Sequence, residues 1–89
     1  MAKVYFTYGS DDKSMPYIGG WTVIHAPTAQ MAVELFKILH PNENDSEVLN
    51  CADVYTEDEF IRTLMWKHGN YGMYCQEQYF FGKVTGVAV

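Results

Sequence analysis

Eighty-nine residues leave room for one domain, spanning 1–89, and for one modest core. The chain is 48% hydrophobic with seven Tyr, five Phe and two Trp, which excludes a disordered protein. Six basic residues against eleven acids give a net charge of −5. That balance argues against direct nucleic-acid binding and against anionic membrane surfaces, since both need clustered Lys and Arg.

In chain order, "KVYFTY" (Lys3 to Tyr8) alternates Val4, Phe6 and Tyr8 with Lys3, Tyr5 and Thr7, the period of a strand. Its beginning, "MAKVYFTYGS", has neither the charged nor the apolar region of a leader peptide. A connection follows from Gly9 to Gly20, punctuated by Gly, Pro and Ser. "WTVIH" (Trp21 to His25) reads as a second strand, antiparallel to the first.

"APTAQMAVELFKILHP" is the clearest helix, with Ala32, Leu35, Phe36 and Leu39 forming one apolar stripe at i, i+3, i+4 and i+7. Pro27 suits its first turn, and Pro41 with Asn42 closes it. The acidic stretch 42–47, "NENDSE", reads as a surface loop, and "VLNCADVY" (Val48 to Tyr55) as a third strand.

A second helix opens with a capping box: Thr56 can accept from the Glu59 N–H while the Glu59 carboxylate reaches back to Thr56. Tyr55 and Phe60 occupy the staple positions around it. This helix is expected to run to Lys67 and His68, with Gly69-Asn70 as its stop. "MYCQEQYFF" (Met73 to Phe81) is the fourth expected strand, placing Cys75, Glu77, Tyr79 and Phe81 on one face. Glu77 is the awkward member there, because a buried carboxylate requires a partner.

These elements, β-β-α-β-α-β, predict an α+β fold: a small, mostly antiparallel sheet of about four strands with both helices on one face. Little in the chain signals catalysis. Cys51 and Cys75 lack a C-x-x-C partner, and His25, His40 and His68 are scattered. Assembling Cys51, Asp53, His68 and Cys75 into a metal site would be a demand of space, not of spacing. His40 and His68 are explained by cationic stabilisation of helix C-termini. No glycine cluster ends in the G-K-[ST] of a phosphate loop. The expectation is therefore a non-enzyme with no assigned catalytic residue, cofactor or metal.

Charge is distributed unevenly. Seven of the eleven acids (Glu43, Asp45, Glu47, Asp53, Glu57, Asp58, Glu59) fall between positions 43 and 59, with no Lys or Arg among them. Such a block solvates a loop and a helix start, and it can also steer toward a basic protein groove. In the second role Glu43, Asp45, Glu47, Glu57 and Asp58 are the candidate partner-binding acids. Tyr17, Tyr71 and Tyr74 are the candidate anchors, since Tyr is enriched at binding hot spots.

The run of "YFTYGSD", "GGWTVIHAPTAQMAVELF", "LNCADVYTEDEF" and "GNYGMYCQE" resembles a group of short, uncharacterised proteins encoded by phages and mobile elements of gut-type bacteria. The resemblance spans Tyr5 to Glu77. Where that pattern has Cys-His-Glu, this chain has Cys75-Gln76-Glu77, which weakens any metal or catalytic role there. The resemblance implies a context in which small single domains bind and inhibit host proteins.

The resulting expectation is a small acidic protein-binding module, cytoplasmic in the host cell. Its sharper form is an inhibitor of a host defence nuclease, anti-CRISPR-like, that occupies a basic groove. One alternative is a metal- or thiol-dependent protein using Cys51 and Cys75. Another is a protein that sequesters a nucleotide with the Gly9–Gly20 loop and nearby aromatics. A homodimer through an exposed sheet edge stays open.

Overall fold

The structure is a computed structural model that describes residues 1–10, 15–42 and 49–82. Strands β1 (Ala2–Thr7) and β2 (Trp21–Ala26) pair antiparallel, with Val4 opposite Ile24 and Tyr5 opposite Val23. Helix α1 (Ala29–Leu39) leads to β3 (Asp53–Thr56), which pairs antiparallel with the other side of β1. Helices α2 (Glu57–Thr63) and α3 (Met65–His68) lead to β4 (Cys75–Phe80), which pairs parallel with β2. The sheet order is β3-β1-β2-β4. The chain is thus α+β with a four-stranded sheet, two of whose three pairings are antiparallel.

The helices do not share a face. Phe36 of α1 stacks on Phe6, while Phe60 of α2 stacks on Tyr5, and adjacent strand residues point to opposite sides. Topology supplies the reason. The connection from β2 to β3 crosses the sheet in one direction and that from β3 to β4 returns in the other, both between parallel strands. Parallel crossovers share one hand almost without exception, so opposite travel requires opposite faces.

Each face therefore has its own core. Val4, Phe6, Tyr8, Ile24 and Ala26 pack under Ala32, Leu35 and Phe36 of α1. Tyr5, Trp21 and Val23 pack under Phe60 of α2. The predicted stripe of α1 is the one buried, apart from a half-exposed Leu39. Thr28 caps that helix by accepting from the Met31 N–H at 3.1 Å, so Pro27 lies just outside the first turn rather than in it.

The capping box forms as read, with Thr56 N–H to Glu59 Oε1 at 2.9 Å and Glu59 N–H to Thr56 Oγ1 at 3.3 Å. The second helix does not run through to His68. Thr63 Oγ1 donates to the Phe60 carbonyl at 2.6 Å and accepts from the Met65 N–H at 3.1 Å. That side chain takes over backbone roles, and Leu64 turns left-handed at φ 65°. The third strand is likewise shorter than expected, four residues beginning at Asp53. No helix among the described residues is long and apolar enough to cross a membrane.

Candidate functional site

Glu77 meets four donors. Its strand carries one extra residue against β2: Trp21 pairs with Cys75, but Thr22 pairs with Glu77. This bulge at Gln76 breaks the alternation, because paired residues share a face. Cys75 goes with Trp21 to the α2 side, and Glu77 goes with Thr22 to the α1 side. The expectation that Cys75 and Glu77 share a face is therefore corrected, while Tyr79, opposite Ile24, does stay with Glu77.

Turned that way, the Glu77 side chain is 12% exposed. Its Oε1 accepts from Thr22 Oγ1 at 2.7 Å and from His40 Nε2 at 2.5 Å. Its Oε2 accepts from Tyr17 Oη at 2.9 Å and Tyr79 Oη at 2.8 Å. A carboxylate offers about four acceptor sites, and all are used. Since Thr22 gives its only proton to Glu77, Tyr8 must donate in the 2.5 Å contact between their hydroxyls. The buried chain Tyr8 to Thr22 to Glu77 thus has one direction.

Several elements converge to build this node. Thr22 is fully buried in β2, and His40 caps the end of α1, where the helix stops and its ring can swing over β4. Tyr17 comes from the β1–β2 connection and packs edge-on to both Tyr8 and His40. Burial alone would push the Glu77 carboxyl up, but the bonds from His40, Thr22, Tyr79 and Tyr17 outweigh it and hold the group below the usual range. Burial and donation to Glu77 push the Tyr79 hydroxyl up to about 12. Tyr17 is raised too, chiefly by its bond to Glu77.

Chemically the node is a closed acceptor. An ionised carboxylate with every lone pair engaged is poorly placed to take a proton from a substrate, and it cross-links four parts of the chain instead. No buried polar side-chain atom among the described residues lacks a partner. The sequence pointed to Glu77 as needing a partner. It did not point to His40, whose helix-end position already had a sufficient explanation.

The predicted partner-binding residues that are described fall in three places: the start of α2, the turn before β4, and the Glu77 node. Glu43, Asp45 and Glu47 lie outside the described residues. Glu57 and Asp58 are exposed in the first turn of α2, with Glu57 Oε2 3.2 Å from Lys3 Nζ at the start of β1. Tyr71 and Tyr74 are 72% and 61% exposed, in the turn before β4. That turn packs beside Gly19, near the other end of β1: a Cβ there would meet Asn70 O at 2.9 Å, Met73 Cγ at 3.3 Å and Tyr71 Cβ at 3.6 Å. Tyr17 belongs to the Glu77 node and is not free to anchor a partner without leaving it.

No family model, curated protein or solved structure matches the chain.

The two thiols are not brought together. Cys51 packs against the α1-side core, where burial, with the charge of Asp53, pushes it up to about 11. Cys75 lies on the α2 side, donating its S–H to the Glu77 carbonyl at 3.0 Å. No group of three or more His, Cys, Asp or Glu that could hold a metal occurs among the described residues.

Proposed function

We propose that the chain is a small protein-binding module of phage or mobile-element type that works by contact rather than by catalysis. The observation that carries this reading is the exposed apolar cluster around Gly19. Ile18 (56% exposed), Tyr71 and Tyr74 stand out from two adjoining loops. Tyr71 is held in a left-handed conformation, φ 57°, that side chains rarely adopt. Strained backbone that presents an exposed aromatic is characteristic of recognition sites, and Tyr is an efficient anchor because it brings large area at low entropic cost.

The acidic residues serve as steering charge in this reading. Glu57 and Asp58, with Glu43, Asp45 and Glu47, draw the module toward a basic surface, and Tyr71 and Tyr74 hold it there. The sharper form of the proposal is inhibition of a host defence nuclease by occupying its nucleic-acid groove. Its support is the net charge of −5 and the acidic block, together with the resemblance of the chain to small phage-encoded proteins.

The test is affinity capture from host lysate with the partner identified by mass spectrometry, using wild type, Tyr71→Ala/Tyr74→Ala and a five-site charge reversal. The module reading expects one specific partner whose capture falls with the tyrosine pair. The groove reading further expects loss on charge reversal and a basic, nucleic-acid-binding partner. Capture indifferent to both variants overturns the proposal.

A further inference from the structure

The turn that carries Tyr71 is closed by its own backbone. Asn70 N–H donates to the Met73 carbonyl at 2.7 Å, and Met73 N–H returns to the Asn70 carbonyl at 3.2 Å. Between them Tyr71 and Gly72 have φ 57° and 81°. Two residues of positive φ inside a reciprocal pair of bonds make a type I′ turn, whose first central position favours Asn, Asp or Gly. Tyrosine there is strained, because its Cβ crowds the following carbonyl oxygen.

Asn70 holds the turn in that form. Its Nδ2 donates to the Tyr8 carbonyl at 3.0 Å and to the Gly20 carbonyl at 3.2 Å, and its own carbonyl accepts from the Gly20 N–H at 3.3 Å. These bonds tie the turn to the two ends of the β1–β2 connection. Tyr8 is 1% exposed, so its carbonyl needs a donor from within the protein. The close approach depends on Gly19 and Gly20: a Cβ at Gly19 would lie 2.9 Å from the Asn70 carbonyl oxygen, and one at Gly20 2.7 Å from Gln76 Cγ. At the tip the surroundings are open. Chain neighbours apart, no atom of the described residues lies within 4 Å of where a Gly72 Cβ would stand. The turn is thus anchored at its base and projects at its end.

We propose that Asn70 is the positioning residue of the recognition surface, latching the Tyr71-Gly72 turn so that Tyr71 is presented as a rigid convex tip to a concave protein partner. Shape selects that partner. A projecting two-residue turn offers no flat face, and its exposed ring gains burial only by entering a cleft. Fixing the turn beforehand removes the ordering cost that a mobile tip would pay on binding. The latch has this purpose only if Tyr71 is a contact residue, as the protein-binding reading has it.

Thermal melts of the full chain test the latch with Tyr71→Asn, Asn70→Ala and the two together. Tyr71 is 72% exposed, so replacing it removes strain and little packing. Tyr71→Asn is expected to melt about 4 °C above wild type. In the Asn70→Ala background the same replacement is expected to gain less than half of that, because an unlatched turn has already shed the strain. Equal gains in both backgrounds, or no gain in wild type, overturn the proposal. Amide exchange of wild type gives a second measurement should Asn70→Ala not fold. The Met73 and Gly20 N–H groups, both bonded to the Asn70 carbonyl, are expected to be protected like strand amides, and exchange at the rate of an open loop overturns the latch. Capture from host lysate separates the latch from the reading it serves. Asn70→Ala is expected to retain a tenth or less of wild-type capture with both tyrosines in place. Undiminished capture by Asn70→Ala, where Tyr71→Ala/Tyr74→Ala loses it, overturns the latch and leaves the protein-binding reading standing. Wild-type capture that ignores the tyrosine pair overturns that reading, and with it the purpose of the latch, whatever the melts show.

Discussion

Glu77 draws its four donors from β2, from the β1–β2 connection, from the end of α1 and from its own strand. Replacing it by Gln keeps the shape but puts an NH₂ where two donors converge. Glu77→Gln is expected to cost roughly 2–3 kcal/mol, the cost of leaving buried donors unpaired, measured by urea denaturation. The same node sets a pH signature. The unfolded chain protonates Glu77 near the ordinary value of about 4.3, the folded chain only below that. The Glu77 contribution is therefore complete above the ordinary value and is lost as pH falls through the depressed one. Tyr79 acts in the other direction. Its hydroxyl ionises near 10 when unfolded and at about 12 when folded, so its contribution is complete below 10 and is lost between these values. Unfolding free energy measured against pH is expected to fall at both ends, and Glu77→Gln is expected to flatten the acid limb.

Among the elements, the α2–α3 junction and the turn before β4 are governed by backbone conformation. Leu64 sits at φ 65°, where a Cβ is disfavoured by about 1–2 kcal/mol. Within a helix, Gly is worse than Ala by about 1 kcal/mol. At Leu64 the order is expected to reverse, with Leu64→Gly more stable than Leu64→Ala by about 1 kcal/mol in matched thermal or urea melts. Gly69 makes the same requirement, and there the chain already meets it. It has φ 79°, and a Cβ there would lie 2.5 Å from the Met73 carbonyl oxygen. Gly69→Ala combines strain with a clash against backbone, and a loss of about 1–3 kcal/mol is expected by the same measurement. The capping box and the apolar stripe of α1 were legible beforehand because they depend on neighbours in sequence. The helix break at Leu64 was not, since it follows from the Thr63 hydroxyl choosing the Phe60 carbonyl over solvent.

For the molecule as a whole, the consequence of two faces is two small cores that share one sheet. Phe60 is the main buried side chain that α2 contributes, stacked on Tyr5 at 3.9 Å and edge-on to Trp21 at 4.9 Å. Phe60→Ala is expected to cost about 3–5 kcal/mol in urea unfolding, although α2 has only seven residues. Domains of this size have only about 5–15 kcal/mol of stability, so the variant is expected to lose both cores in a single transition. The double burial had a trace in the sequence. Trp21 and Val23 alternate with Ile24 and Ala26 on opposite sides of β2, and β1 likewise has Tyr5 between Val4 and Phe6. Strands apolar on both sides belong to sheets covered on both sides.

What the sequence determined by itself was local: strand and helix identity, the capping box, the apolar stripe of α1, and the need of Glu77 for a partner. Each of these follows from side-chain period or from groups a few positions apart. The tertiary structure alone decided which face each helix covers, because that depends on strand order and the hand of the crossovers. It also decided that a single extra residue, Gln76, turns Glu77 toward Thr22 and His40 and parts it from Cys75. A bulge is defined by the neighbouring strand, and no pattern within β4 records where that neighbour will sit.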